Sequence, residues 1–306
     1  MAKKNQGAYF WLDGKMVKSK DAKVPILTHS MQYGSGIFEG MRAYKTQNGT
    51  AIFRLDDHVK RFFRSAKVYG MKLGYAKSDI RDAIIKVVKQ SRLESCYIRP
   101  FAFYNDDNIG ISTHGKRISV FVAAVPFGAY FGKGKERGIR CRISSWQRIN
   151  SLILPPEAKA SGNYINSIIA NMDAIYSGAD EAILTSLDGY VAEGPGENIF
   201  IVEEGKLVTP SREADILLGI TRESIMMLAK RIGIDVVERN IHKEELYTCD
   251  EAFFAGTAAE ITPITSIDSR GIGTGRPGRI TNLLAGEYTK AVTGKIKEYE
   301  NWLTYV

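Results

Sequence analysis

What most constrains this chain is the way short, dense apolar runs alternate with single segments of helical period. CYIRPFAFY (96–104) and ISVFVAAV (118–125) are too short for buried helices and rich in β-branched and aromatic residues, so they read as strands. YFWLDGKMV (9–17) sets Asp13-Gly14 between two apolar runs, a strong hairpin signal. Asp56 reads as an N-cap, followed by Val59, Phe62, Phe63, Ala66 and Tyr69 at helical spacing and by Gly70 as a stop. A second helix is predicted over 78–91. Beyond residue 138 the order is strand IRCRISSW, a helix from about Asn163 to Ser177, and strands EAILTS, ENIFIV and KLVTP. A helix from Thr221 to Ile232, strands IDVVER and EAFFAGT, and a helix near Thr281–Thr293 complete it. The helix at 163–177 carries Tyr164, Ile165, Ile168, Ile169, Met172, Ile175 and Tyr176 on one side. Runs of strands broken by single helices predict an α/β (α+β) class.

FGAYFGKGKERG (127–138) is rich in glycine and charge and has no clear period. It divides the chain into a small α/β domain (1–126), an interdomain linker loop (127–137) and a large domain (138–306). With 306 residues, 44% hydrophobic and 25% charged, the chain can bury substantial cores, which excludes disorder. The net charge of +8 is scattered, densest at Lys3-Lys4 and around Lys133, Lys135 and Arg137. No nucleic-acid motif accompanies it, so a solvated basic surface, or steering of acidic substrates, is a better reading than nucleic acid. Cys96, Cys141 and Cys249, with four dispersed histidines, offer neither a disulfide framework nor metal-ligand spacing. MAKKNQGAYFW lacks an apolar core of signal-peptide length, and no run approaches the roughly 18 apolar residues of a membrane span. The expected compartment is the cytoplasm, with no membrane partner.

Four segments have the composition of a site, and each also has a plain structural reading. In KASGNY (159–164), Lys159 precedes a helix start, where a lysine for Schiff-base chemistry would be held well; taken alone, a solvated lysine is the better reading. In DGYVAEGPGENIF (188–200), Glu193 and Glu197 flank glycines that let backbone approach a flat ligand, or simply form a polar turn. Gly219-Ile220-Thr221 opens a helix whose free N–H groups suit a phosphate, although Thr221 also suits a plain N-cap. FFAGTAAEITPI (253–264) ends a strand in small residues whose amides suit an anion. GIGTGRPG (271–278) lacks the ending of a P-loop and reads as a flexible loop.

The order of these segments is more specific than any one of them. KASGNY, EGPGENIF, LGITRE and GTAAEITP, together with HSMQYGSGIFEGMRAY, FRLDDHVKRF and YIRP, closely resemble the class IV, fold-type IV aminotransferases, and within them the branched-chain enzymes. The resemblance runs from about Ala8 to the last helix. It implies a two-domain fold with pyridoxal 5'-phosphate between the domains, and a homodimer or higher homo-oligomer. By the same resemblance Lys159 forms the Schiff base, Glu193 pairs with the ring nitrogen and Tyr164 with the ring hydroxyl. Arg61, Ile220, Thr221 and Thr257 hold the phosphate, Leu218 packs on the ring, and Asn198 stands behind Glu193. Tyr33, Phe38, Phe127 and Tyr130 wall an apolar pocket; Tyr97, Thr257 and Ala258 take the α-carboxylate, and Arg99 takes the second carboxylate of glutamate or 2-oxoglutarate. The implied activity is ping-pong transamination of leucine, isoleucine and valine with 2-oxoglutarate. Alternatives within the fold are a D-amino acid or (R)-amine transaminase or aminodeoxychorismate lyase; outside it, a basic nucleic-acid or anion-binding module with a decayed site. Pro195 stands in the EGPGEN turn where the family commonly has a smaller residue.

Overall fold

The computed structural model describes residues 9–306; Lys3-Lys4 and the side chain of Lys135 lie outside the described residues. The chain forms two compact units. The first takes the described residues through Phe127 together with Ala158–Gly162 and Val292–Val306, and the second takes Gly128–Glu157 and Asn163–Ala291. This differs from the expected continuous division, because the Lys159 segment is stitched to the first unit by backbone bonds. Ile37 bridges Ala160, and the Phe38 N–H donates to the Lys159 carbonyl at 2.9 Å. The C-terminal strand Leu303–Tyr305 likewise pairs with Gly49–Phe53. No helix of the described residues is long and apolar enough to cross a membrane.

In the first unit the sheet runs, strand by strand, through Leu303–Tyr305, Gly49–Phe53, Met41–Thr46, Cys96–Tyr104, Ile118–Val125, Tyr9–Leu12 and Lys15–Lys18. Gly36–Phe38 pairs with the far half of Cys96–Tyr104. The expected hairpin is present, with Asp13 (φ 46°) and Gly14 (φ 88°) in the left-handed conformations that match strand twist. Pro100 sits inside a central strand, a place proline normally cannot occupy. It is tolerated because the strand changes neighbours there: Met41–Ala43 pair with Cys96–Ile98, and Gly36–Phe38 with Phe101–Phe103. Phe62, Ile80, Ile84 and Val87 of helices Leu55–Val68 and Lys77–Ser91 join Ile98, Ala102, Val120 and Val122 of the sheet in one core. The first of these helices does not start at an Asp56 cap. Arg54 turns the strand into the helix in a left-handed conformation (φ 52°), and Asp56 in the first turn pairs with Arg81 at 2.8 Å.

In the second unit the sheet order is Val236–Glu238, Lys206–Thr209, Asn198–Glu203, Glu251–Gly256, Glu260–Ile267, Ile139–Ile143 and Glu181–Ile183. Its middle is antiparallel, while Ile139–Ile143 pairs in parallel on both sides. Ile199, Ile201, Phe254 and Ile264 form the centre of its core. The helix predicted at 163–177 is present as Tyr164–Tyr176, but its large apolar side is not its buried side. Ser167, Ala170 and Ala174 face inward, the two alanines packing on Ala182 and Leu184, so the helix sits close to the sheet and Ile165, Ile168, Met172, Ile175 and Tyr176 are exposed. Within the predicted linker, Gly134–Arg137 forms one helical turn, ended by Gly138 at φ 82°.

Candidate active site

The Lys159 segment is fixed at both faces of its peptide. Its N–H donates to Ser65 Oγ at 3.0 Å, and its carbonyl accepts from Phe38. Ser161 Oγ donates to the Gly34 carbonyl at 2.7 Å and accepts the Gly36 N–H at 3.1 Å. A side chain at Gly36 would meet the Phe101 ring at 2.6 Å, so the close packing that admits this segment requires glycine there. Lys159 Nζ lies 5.1 Å from the centre of the Phe38 ring, and the Arg99 guanidinium lies 4.5 Å from the same ring. Two cations near one aromatic ring each gain cation–π stabilisation, and their shared positive field suits an anionic ligand.

Arg99 donates from Nη2 to Tyr97 Oη at 3.0 Å, while its Nε is buried with no hydrogen-bond partner among the described residues. Tyr97 packs on Phe127 with ring centres 4.8 Å apart. Gly40 makes room for the Tyr97 hydroxyl, which would lie 2.0 Å from a side-chain carbon at that position. The structure thus brings together Phe38, Tyr97, Arg99, Phe127 and Lys159. It does not add Tyr33, which is exposed, packs on His29 and accepts the Gly110 N–H. Arg42, which no sequence signal marks, lies opposite Tyr97 in register and 5.6 Å from the Phe127 ring centre.

Arg61 is no exposed helical arginine. It lies one turn from His58, and both reach Glu39, the residue that follows the strand Gly36–Phe38. Arg61 donates to Glu39 from Nε at 2.6 Å and Nη2 at 2.9 Å, and His58 Nδ1 lies 2.7 Å from Glu39 Oε2. Burial pushes the Glu39 carboxyl up, but Arg61 and then His58 outweigh it and hold it well below the usual carboxylate range. Burial pushes His58 below its ordinary value, against the opposing pull of Glu39. Glu39 and His58 were missed in the sequence, although an acid ending the apolar run GIF signals a partner elsewhere.

In the second unit, Glu193 is buried and held on both carboxylate oxygens. Oε2 accepts from Asn198 Nδ2 at 3.0 Å and from the Leu217 N–H at 3.1 Å; Arg148 Nε lies 2.7 Å from Oε1. Gly219 precedes the helix Ile220–Arg231, and a side chain there would lie 2.0 Å from Asn198 Oδ1. The chain that positions Glu193 therefore also positions the helix opening, where Ile220 and Thr221 are buried and Leu218 is half-buried. Tyr164 is the first residue of its helix and half-buried, and Thr257 and Ala258 follow the strand Glu251–Gly256. Tyr130 is exposed and packs on Phe131. Arg148 was not foreseen.

The glycine-rich 271–278 stretch leads into the helix Arg279–Val292, whose opening is occupied by a protein carboxylate. Glu251 accepts from the N–H groups of Ile280 (2.9 Å) and Thr281 (2.7 Å) and from the Thr281 hydroxyl (2.7 Å). The comparable opening at Ile220 is preceded by Gly219 in extended conformation, with no side-chain cap bond.

Comparison with known proteins supplies the reaction for this donor set. The family model described as amino-transferase class IV matches residues 36–267. A branched-chain-amino-acid aminotransferase of Pseudomonas aeruginosa is 44% identical over 307 residues, covering all of both chains. The branched-chain aminotransferase structure from Thermoproteus uzoniensis with norvaline superposes with a TM-score of 0.92, at 44% identity over 97% of this chain and 98% of that one. A T.th. branched-chain amino acid aminotransferase, solved in complex with N-(5'-phosphopyridoxyl)-L-glutamate, gives a TM-score of 0.92 at 42% identity over 98% of this chain and 99% of that one.

Proposed function

This chain belongs to the amino-transferase class IV family, and from that membership we propose how its own residues carry the reaction. It catalyses pyridoxal-phosphate-dependent transamination of branched-chain amino acids. The donor set fits the cofactor: an amine on a fixed backbone at Lys159, a buried carboxylate at Glu193, a cation at Arg61 and a helix opening at Ile220. Pyridoxal phosphate, when bound, supplies the electron sink for charge left at the substrate Cα. Lys159 Nζ would hold it covalently and, once released by a substrate amine, would be free to move a proton. Lys159 Nζ then takes the Cα proton and returns it on the other side of the reaction. Glu193, oriented by Asn198, pairs with the ring nitrogen, and Tyr164 pairs with the ring hydroxyl. Arg61, the amide and hydroxyl donors of Ile220 and Thr221, and Thr257 hold the phosphate; Leu218 packs on the ring.

The observation that carries the substrate reading is Arg99. Its guanidinium lies on the Phe38 ring with one buried donor unused, beside an otherwise aromatic wall. A second carboxylate satisfies that donor, while an aliphatic side chain packs on Phe38 and Phe127. The wall of Phe38, Tyr97, Arg99 and Phe127 thus takes both a branched-chain amino acid and 2-oxoglutarate, with Tyr97 on the α-carboxylate. Successive occupancy of one pocket gives ping-pong kinetics. We assign the chain to a homo-oligomer, supported by the exposed Ile165, Ile168, Met172 and Ile175. The cytoplasm is the compartment that suits its three buried, unpaired thiols.

An absorbance scan of wild type and Lys159→Ala, before and after L-leucine, tests the assignment. A near-visible band in wild type that shifts with L-leucine and returns with 2-oxoglutarate is expected, and Lys159→Ala should not show that cycle. A wild-type band answering only D-alanine or a simple amine would sink the branched-chain L-amino acid reading.

A further inference from the structure

Arg148 has no assigned task, yet it is only 8% exposed and faces the 5%-exposed Glu193. Its backbone is tied down, the N–H donating to the Thr185 carbonyl at 2.8 Å. Its Nε lies 2.7 Å from Glu193 Oε1, but the N–H is not aimed along that line, so the contact is an ion pair without a hydrogen bond. A guanidinium placed for stability alone would gain from a two-pronged grip, as Arg61 has on Glu39. Arg148 instead contributes mainly charge, delivered to one carboxylate oxygen. The neutral donors Asn198 and Leu217 N–H hold the other oxygen.

We propose that Arg148 is a positioning residue for the proton shared between Glu193 and the cofactor ring nitrogen, fixing Glu193 as the anion so that the proton resides on the ring. The inference rests on the reading of Glu193 as the ring-nitrogen partner. A single proton between a carboxylate and a pyridine nitrogen has two homes. With the proton on the ring, Glu193 is an anion and the ring a cation; with the proton on Glu193, both are neutral. In a site this dry the difference is decided by the nearest fixed charge. The Arg148 cation touches the carboxylate itself, so its attraction for the anion exceeds its repulsion of a ring cation farther away. Without Arg148, a buried carboxylate loses its compensating charge and is neutralised most easily by keeping the proton. The ring would then lose the positive charge that makes it a strong electron sink.

The test is the solid-state ¹⁵N resonance of the holoenzyme loaded with ring-¹⁵N pyridoxal phosphate, in wild type, Arg148→Gln, Arg148→Lys and Glu193→Gln. Wild type and Arg148→Lys should show a protonated ring nitrogen, and Arg148→Gln the resonance of a neutral pyridine. A merely structural role for Arg148 would leave the ring resonance of Arg148→Gln at the wild-type position and overturns the proposal. Should Arg148→Gln not fold, a neutral ring in wild type or in Arg148→Lys overturns it equally, because the charge is then present without its effect. Failure of the underlying reading looks different: Glu193→Gln would leave the ring nitrogen protonated.

Discussion

Glu39 concentrates the residue-scale physics of the first unit. It is fully buried, and its charge survives there only because Arg61 and His58 surround it. Its carboxyl is depressed from an ordinary value of 4.5, so the fold gains its ionic stabilisation in full above that pH and loses it as pH falls below. Glu39→Gln should cost about 3 kcal/mol or more at neutral pH, since it strands a buried guanidinium. It should also flatten the loss of stability on acidification, which urea titrations between about pH 3 and about pH 7 would measure. An equal acid slope in both proteins would refute the assignment. Lys159 and Glu193 drew attention in the sequence only through the order of the motifs shared with the class IV aminotransferases, since each segment alone has a plain structural reading. Glu39 and Arg148 drew none, because a buried ion pair is defined by both partners, and Arg61 lies 22 residues from Glu39. Arg148 ends a strand-like run and looks like any solvated arginine until its burial is known.

At the scale of elements, local signals worked where one element decides its own fate. The Asp13-Gly14 hairpin and the helices at Leu55–Val68 and Lys77–Ser91 follow from turn chemistry and from period. The strands Gly36–Phe38, Met41–Thr46 and Glu260–Ile267 were not foreseen. The first two are separated by Glu39-Gly40, and the third holds Pro263, opposite Phe253 in the sheet, so none presents a clean alternation. Their place is set by partners, as the change of neighbours at Pro100 shows. The reading of 271–278 as a plain loop is explained by an element elsewhere: Glu251, on a strand, caps the helix that the loop enters. Carboxylate bonds to free helix N–H groups are worth about 1 kcal/mol. Glu251→Ala should therefore lower stability by about 1 to 2 kcal/mol through the Arg279–Val292 helix. Hydrogen exchange should show the loss at Ile280 and Thr281 first; protection unchanged there would mean the cap contributes nothing.

For the whole molecule, the helix Tyr164–Tyr176 poses the sharpest question. Its inward side is built of serine and alanine, while Ile165 (63% exposed), Ile168 (51%), Met172 (42%) and Ile175 (50%) form a stripe facing outward. Helical spacing puts these four on adjoining turns, so they make one apolar patch. The period alone reads such a stripe as core; the inward alanines show that the helix packs on its own sheet by its other side. Soluble monomers rarely expose contiguous apolar patches of this kind. Covering the patch with a second copy of the chain removes the apolar area from water at about 25 cal/mol per Å². Ile168→Glu places a charge at its centre and touches none of the inward residues. Burying that charge against an apolar partner would cost several kcal/mol. Sedimentation velocity at micromolar protein should therefore show Ile168→Glu shifted to a smaller species than wild type, with helical circular dichroism retained. A wild-type monomer, or an unchanged sedimentation coefficient in the variant, would remove this stripe as the joining surface. The inward face of the same helix supplies the control, because Ala170→Glu should unfold the second unit rather than dissociate it.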